Sequence, residues 1–328
     1  MQRRAFLELF GAACAVALTP AARAQSQYPA RPIRLVVPFP PGGPTDLYAR
    51  QYANRLGAIL GQNVVVENKA GASGAIGAVE VMRAAPDGYT LLFGTASTHA
   101  LYNLIAEKPQ YDALRDFAPI AILGGAPIVM VATPAMPPTL AGSLDLARVN
   151  PGRLSYASPG QGTMMHLFAE RLKKEAGNVD IKHIPFKGTG QARPALLGGQ
   201  VELMTDTLGA SLPDHRAGKA RILAIAAAKR SDAAADVPTV DEALGTSGFE
   251  AVLWNAVFAP AGTPAPVLQT ISAATAKALA DPTLRESLAK LGITPEIGST
   301  PATAGAYIRA EMARWKPVID ALGVKLTD

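Results

Sequence analysis

Three glycine-rich runs carry the residues best suited to chemistry, and each stands where an apolar stretch gives way to a helical one. The first is Pro38-Phe39-Pro40-Pro41-Gly42-Gly43-Pro44-Thr45-Asp46. Its prolines stiffen the approach, and Gly42 and Gly43 let the backbone come close to a ligand. Pro44 suits the first position of a helix, where its missing N–H costs nothing. The free amides that follow, aligned with the helix dipole, suit a carboxylate. A stiff turn capped by Thr45 and Asp46 is the rival explanation. The second run is Ser158-Pro159-Gly160-Gln161-Gly162-Thr163. Ser158 and Thr163 offer hydroxyls, and Gly160 and Gly162 expose amides, the makings of a second anion-binding helix start. A plain cap explains Thr163 alone, but not the whole run. In the third, Phe186-Lys187-Gly188-Thr189-Gly190, Lys187 can bring a positive charge, although loop lysines are more often simply solvated.

Further candidates stand nearby. Asp206 and Thr207 end a later strand, where they can contact a ligand or brace the loops. Thr95 and Ser97 end another, with helix capping as an equal alternative. His166 follows the second run and either borders the ligand or packs beneath the loop. Catalytic patterns fare poorly. Gly71-Ala72-Ser73-Gly74-Ala75 misses the GxSxG nucleophile pattern by its last residue. His99, His166, His183 and His215 are scattered without metal-ligand spacing. Neither a phosphate-binding GxxxxGK[ST] nor a GxGxxG with an acidic partner occurs. No metal and no cofactor is therefore expected.

The elements that must position these loops alternate as βα units, which predicts an α/β protein with mainly parallel sheets flanked by helices. Strands are expected at 33–37, 64–66 and 90–95, with helices between them. A nearly continuous apolar run from Ile120 to Thr133, broken by Gly124-Gly125 and Pro127, reads as a strand bending from one lobe into another. A second α/β block follows, with strands at 154–157, 181–186, 201–204 and 222–227 and helices at 163–175 and 191–197. The apolar run 251–259 suggests a return crossing before two final helices, 266–280 and 303–322. The organisation is thus two-lobed: 25–126 with 252–328 as lobe 1, and 127–251 as lobe 2. Ligands sit beyond the carboxyl ends of strands in such sheets, which is where the glycine runs lie.

Residues 1–24 read as a signal peptide. Arg3 and Arg4 precede an apolar stretch, and Ala22-Arg23-Ala24 suits cleavage before Gln25. Arg3-Arg4-Ala5-Phe6-Leu7 also fits a twin-arginine signal, so the export route stays open between the two. The sole cysteine, Cys14, lies in this segment, and Gly11 three places before it argues against lipidation. The whole chain carries 31 basic and 26 acidic residues. Loss of Arg3, Arg4, Arg23 and Glu8 leaves 28 and 25, a net charge of +3. With no dense basic and aromatic patch, nucleic acid is excluded as a partner. About 300 mature residues suffice for two cores. No later stretch of ~18 uncharged apolar residues occurs.

Taken together, VPFPPGGPTD (37–46), ENKAGASG (67–74), DGYTLLFGT (87–95), SYASPGQGT (155–163), PFKGTGQA (185–192) and LLGGQVELMTD (196–206) resemble the substrate-binding receptors of tripartite tricarboxylate transporters, the Bug family. The resemblance covers essentially the whole mature chain. It implies a Venus-flytrap protein of the periplasmic-binding type, a monomer closing over a small organic acid and handing it to integral membrane transporter subunits. It places one carboxylate near Phe39, Gly43 and Thr45, with further contacts from Ser158, Gly162, Thr163 and Asp206, some through water. Phe186 stands where a tyrosine is frequent, removing any contact through a phenol, and Glu202 stands where aspartate is common. Two other functions share the motifs: a periplasmic sensor for a two-component system, and an exported hydrolase or isomerase.

Overall fold

β-branched and leucine residues form the first strand, β1 (Ile33–Val37), in the computed structural model, which describes residues 28–326. The export segment and Cys14 lie outside the described residues. Next come α1 (Pro44–Leu60), β2 (Val64–Asn68), α2 (Ala75–Met82) and β3 (Thr90–Thr95). Helix α1 starts as its sequence dictates, with Gly43 at the cap and proline in the first turn, and it stops at Gly61 in the left-handed conformation. Tyr48, Tyr52 and Leu56, four residues apart, bury one face of it. β1 pairs parallel with both β2 and β3.

A turn of π-helix at Ser97–Leu101 and the short α3 (Tyr102–Ile105) lead to β4 (Phe117–Ala132), the longest strand. The second block is α4 (Leu140–Val149), β5 (Ser155–Ser158), α5 (Met164–Glu175), β6 (Lys182–Pro185), α6 (Thr189–Leu197), β7 (Leu203–Thr207), α7 (Leu208–Arg216), β8 (Arg221–Ile225) and α8 (Val240–Leu244). The chain returns through β9 (Val252–Pro260) and closes with α9 (Ala265–Ala280), α10 (Pro282–Lys290), β10 (Thr294–Pro295) and α11 (Pro301–Leu322).

β4 belongs to two sheets. From Phe117 to Pro127 it pairs with β9, and from Ile128 to Ala132 with β7 and β8. The strand order is β2-β1-β3-β9-β4-β7-β5-β6, with β8 and β10 pairing onto β4 from the side. The βα units within each block pair parallel, whereas β4 and β9 run antiparallel to their neighbours because they cross between blocks. The bend falls at Gly124, whose φ of +106° favours glycine; a β-carbon there would lie 2.0 Å from the Thr294 carbonyl oxygen. One apolar core on one side of the sheet runs through both blocks, and α11 lies against it through Ile308, Trp315 and Ile319. Each block has its own core on the other side.

Helices α3, α4, α7, α8 and α10 are additions to the sequence reading. α7 begins directly after β7 and carries Pro213 inside it, so neither a loop nor clean periodicity announces it.

Candidate functional site

A cavity of about 390 Å³ opens between the two blocks, within the range of roughly 300–1,000 Å³ usual for small-molecule sites. The start of α1 forms one side of it (Phe39, Gly43, Pro44, Thr45), and the start of α6 the other (Lys187, Gly188, Thr189, Gly190, Gln191). Ser97, Pro159, Thr163, Met165 and Leu253 complete the lining with Pro40 and Pro41. The blocks approach closely here: a β-carbon on Gly43 would come within 3.1 Å of Thr189 Oγ1.

Three helix starts converge on this gap, but their amides are in different states. The first N–H groups of a helix have no intrahelical acceptor. At α5 most of them are already used, and only the Met165 amide has no acceptor among the described residues. Thr163 Oγ1 accepts from the His166 amide at 3.3 Å, and Ser97 Oγ, from the other block, accepts from the Met164 amide at 3.0 Å. The loop amides are used as well, Gly162 donating to His166 Nδ1 and Gly160 to Ser158 Oγ. At α1 and α6 the amides of Thr45, Asp46, Thr189 and Gly190 have no acceptor among the described residues. These two starts leave more amides for an anion than α5 does.

Of the sixteen residues singled out in the sequence, the cavity lining includes Phe39, Gly43, Thr45, Ser97, Thr163, Lys187 and Gly188. The remaining nine are not in the lining. Gly42 donates its amide to Asp46 Oδ2 at 2.9 Å, and Asp46 also accepts from Arg50 and Asn68. Burial pulls the Asp46 carboxyl upward, but these hydrogen bonds outweigh it and hold the group ionised, below its ordinary range. Asp46 thus anchors the first loop. Asn68 ties it further by donating to the Phe39 carbonyl.

Ser158, Gly160, Gly162 and His166 form an interior network beneath the second loop. Ser158 Oγ lies 2.7 Å from His183 Nε2, and the rings of His166 and His183 stack at 4.2 Å. Burial pushes His166 down to about 4 and His183 down to about 3, so both are neutral at pH 7. The Ser158–His183 pair has the separation of a nucleophile and its base. However, Ser158 is fully buried, is absent from the cavity lining, and faces a base too weak to ionise it at neutral pH. Asp206 is buried on β7, where desolvation raises its carboxyl to about 7 while Oδ1 accepts from the Thr207 amide. Thr95 and Thr207 are buried with hydroxyls that find no partner among the described residues. Thr207 borders a separate, smaller cavity of about 30 Å³.

Sequence reasoning did not single out Gln191, Met165 or Leu253, and it named Thr189 and Gly190 only as parts of the third glycine run. Gln191 has a signal, standing one residue after the third glycine run. Met165 and Leu253 have none, being apolar residues inside a helix and a strand. Among the described residues no cluster of side chains is arranged to hold a metal, and no helix is long and apolar enough to cross a membrane.

The family model described as tripartite tricarboxylate transporter family receptor matches residues 48–324. Protein BugT of Bordetella pertussis is 38% identical over 301 residues, 91% of each chain. Two solved structures, each 35% identical, share the fold. One is the periplasmic binding protein BugD, with a TM-score of 0.86 over 91% of this chain and 99% of the other. The other is MatC of Rhodopseudomonas palustris with bound malate, with a TM-score of 0.84 over 89% and 100%. A further R. palustris protein, solved with adipate, superposes at 0.86 over 91% and 99%, also at 35% identity.

Proposed function

We propose, from the premise that this chain belongs to the tripartite tricarboxylate transporter receptor family, that it is a periplasmic receptor for a small organic carboxylate, which it delivers to membrane transporter subunits. The single observation carrying this reading is the pair of opposed helix starts, α1 and α6, where Thr45, Thr189 and Gly190 line one cavity and have unpaired amides. Malate and adipate in the two R. palustris relatives support the ligand class.

The residues divide by role. Thr45, Thr189 and Gly190 supply amide donors, with Thr45 and Thr189 adding hydroxyls. Ser97 and Thr163 border the carboxylate from the side, and Lys187 adds positive potential at the rim. Asp46, Ser158 and His166 hold the loops in shape. Binding needs no covalent step. An anion entering the gap satisfies donors from 25–126 on one side and 127–251 on the other, so it favours the approached arrangement over an open one. Water fills the contacts that the protein leaves short, which lets one scaffold take different acids. The closed form then presents the surface read by the membrane subunits.

Calorimetric titration with malate, adipate and benzoate tests the reading, together with Thr189→Pro. Proline at the first helical position is tolerated and deletes one amide donor together with the Thr189 hydroxyl. Loss of a hydrogen bond to a charged group is worth about 1.5–3 kcal/mol, so affinity should fall by roughly tenfold or more while the melting temperature of the unliganded protein stays nearly unchanged. Undiminished affinity in Thr189→Pro removes the α6 start from the site. Steady turnover of any of these acids, lost in His166→Ala or Asp206→Asn, favours an exported enzyme instead.

A further inference from the structure

We propose that the second glycine run is the part seized by a closure clasp. The turn at Ala72–Gly74 and the chain end at residues 324–326 take hold of Gln161 and Gly162 once the blocks have met, and so set how long a bound acid is kept. This deepens the receptor reading above and rests on it. Two amides of the run are spent internally, that of Gly160 on Ser158 Oγ and that of Gly162 on His166 Nδ1. Its outward partners lie across the gap between the blocks. Ser73 Oγ donates to the Gln161 carbonyl, 88 positions away. Gln161 Nε2 donates in turn to the Lys325 carbonyl at 3.4 Å. Gly162 is buried there, and a β-carbon on it would lie 2.7 Å from Ile105 Cδ1 and 3.6 Å from Leu326 Cδ1.

The clasp is held in place from behind. Leu326 donates its amide to the Ile105 carbonyl at 2.9 Å and accepts from the Glu107 amide at 3.3 Å, a parallel bridge that ties the chain end to the end of α3. Ala72 and Ser73 have φ of +46° and +56°, left-handed values that residues other than glycine rarely adopt. The turn is therefore strained in the conformation that brings the Ser73 hydroxyl to the other block, as functional turns often are. A third hold lies along α5, where Lys174 Nζ donates to the Ala321 carbonyl at 2.5 Å. Ala321 stands in the last turn of α11, where carbonyls lack intrahelical partners and a cation suits the helix dipole. Each of these contacts joins residues 127–251 to the rest of the chain, and none of the residues making them lines the cavity. They act on closure and leave the acid itself untouched. Contacts that form only after closure slow reopening without altering the first encounter.

The experiment uses the chain from residue 25 onward and stopped-flow kinetics with whichever of malate, adipate and benzoate binds. Ser73→Gly removes the hydroxyl while glycine accepts the left-handed turn. It should release the acid roughly 3- to 10-fold faster, with the association rate and the unliganded melting temperature near wild type. Lys174→Met should multiply that effect, and Lys174→Arg, which keeps a donor, should not. A wild-type release rate in the Ser73→Gly, Lys174→Met double variant overturns the clasp and leaves the carboxylate reading standing. So does a lower unliganded melting temperature with release unchanged, which marks plain structural contacts. A second measurement needs no acid. The chain has no cysteine after residue 14, so a short bis-maleimide can join only the pair created by Ser73→Cys with Gln161→Cys. Cross-linking, faster once acid is added, is expected, and its failure overturns the clasp whatever binds. Failure of every acid to bind the wild type removes the carboxylate reading, and the cross-link alone then decides the clasp.

Discussion

At the scale of single residues, buried titratable groups under the loops pull stability in opposite directions as pH falls. His166 and His183 have folded values of about 4 and about 3 against 6.5 when free, burial being the main cause for both. Below pH 6.5 the unfolded chain therefore binds protons that the folded chain refuses, so their contribution is complete above 6.5 and is lost as pH falls. Asp206 acts the other way. Its folded value near 7 lies above 3.8, so the folded state takes up a proton first and gains stability as pH falls from 7 towards 4. With two histidines against one aspartate, the melting temperature is expected to drop between pH 7 and pH 4. Asp206→Asn, which is neutral throughout and keeps an acceptor for the Thr207 amide, should steepen that drop and raise stability above pH 7. A thermal melt series with and without the substitution measures both, and an unchanged slope contradicts the assignment. Packing of His166 beneath the second glycine run was one of two readings its position allowed, but its buried companions could not be read from the chain. His183 was noted only as one scattered histidine, and its contact with Ser158 spans 25 positions.

At the scale of elements, the bond from the Met164 amide to Ser97 Oγ fastens the start of α5 to the π-turn after β3. It joins the two blocks directly, so it belongs to the approached form alone. Ser97→Ala leaves a buried amide without an acceptor, at a cost of about 1–3 kcal/mol, borne by that form. Ligand affinity should fall by several-fold or more through the shifted population, and small-angle scattering should show a larger radius of gyration. Affinity equal to wild type would mean that this bond does not hold the blocks together. The βα rhythm, the crossing strand and the three glycine runs were legible because local spacing and turn chemistry encode them. The running direction of β4 and β9 was not, since it depends on where the chain re-enters the sheet. Nor was the division of labour among the three helix starts: the group that occupies the α5 amide is a serine 67 residues away.

At the scale of the whole molecule, the blocks also meet behind the cavity, where α7 passes over the turn after α10. A β-carbon on Gly209 would lie 2.0 Å from the Leu291 carbonyl oxygen, a backbone atom that cannot rotate aside. Gly209→Ala is expected to wedge this seam apart, weakening ligand binding by about tenfold or more while each core stays packed. Titration calorimetry combined with near-ultraviolet circular dichroism would detect it, and wild-type affinity would show that the seam yields freely. The sharing of β4 between both sheets has another consequence. Cutting the chain at residues 127 and 251 would leave β7 and β8 only the five-residue stub Ile128–Ala132 of β4 as antiparallel partner, and would fray the Pro127–Val252 end of the β4–β9 ladder. Naked strand borders of that kind recruit one another into aggregates. Exchange of recognition modules between relatives should therefore succeed only when both crossing strands are grafted whole from one parent.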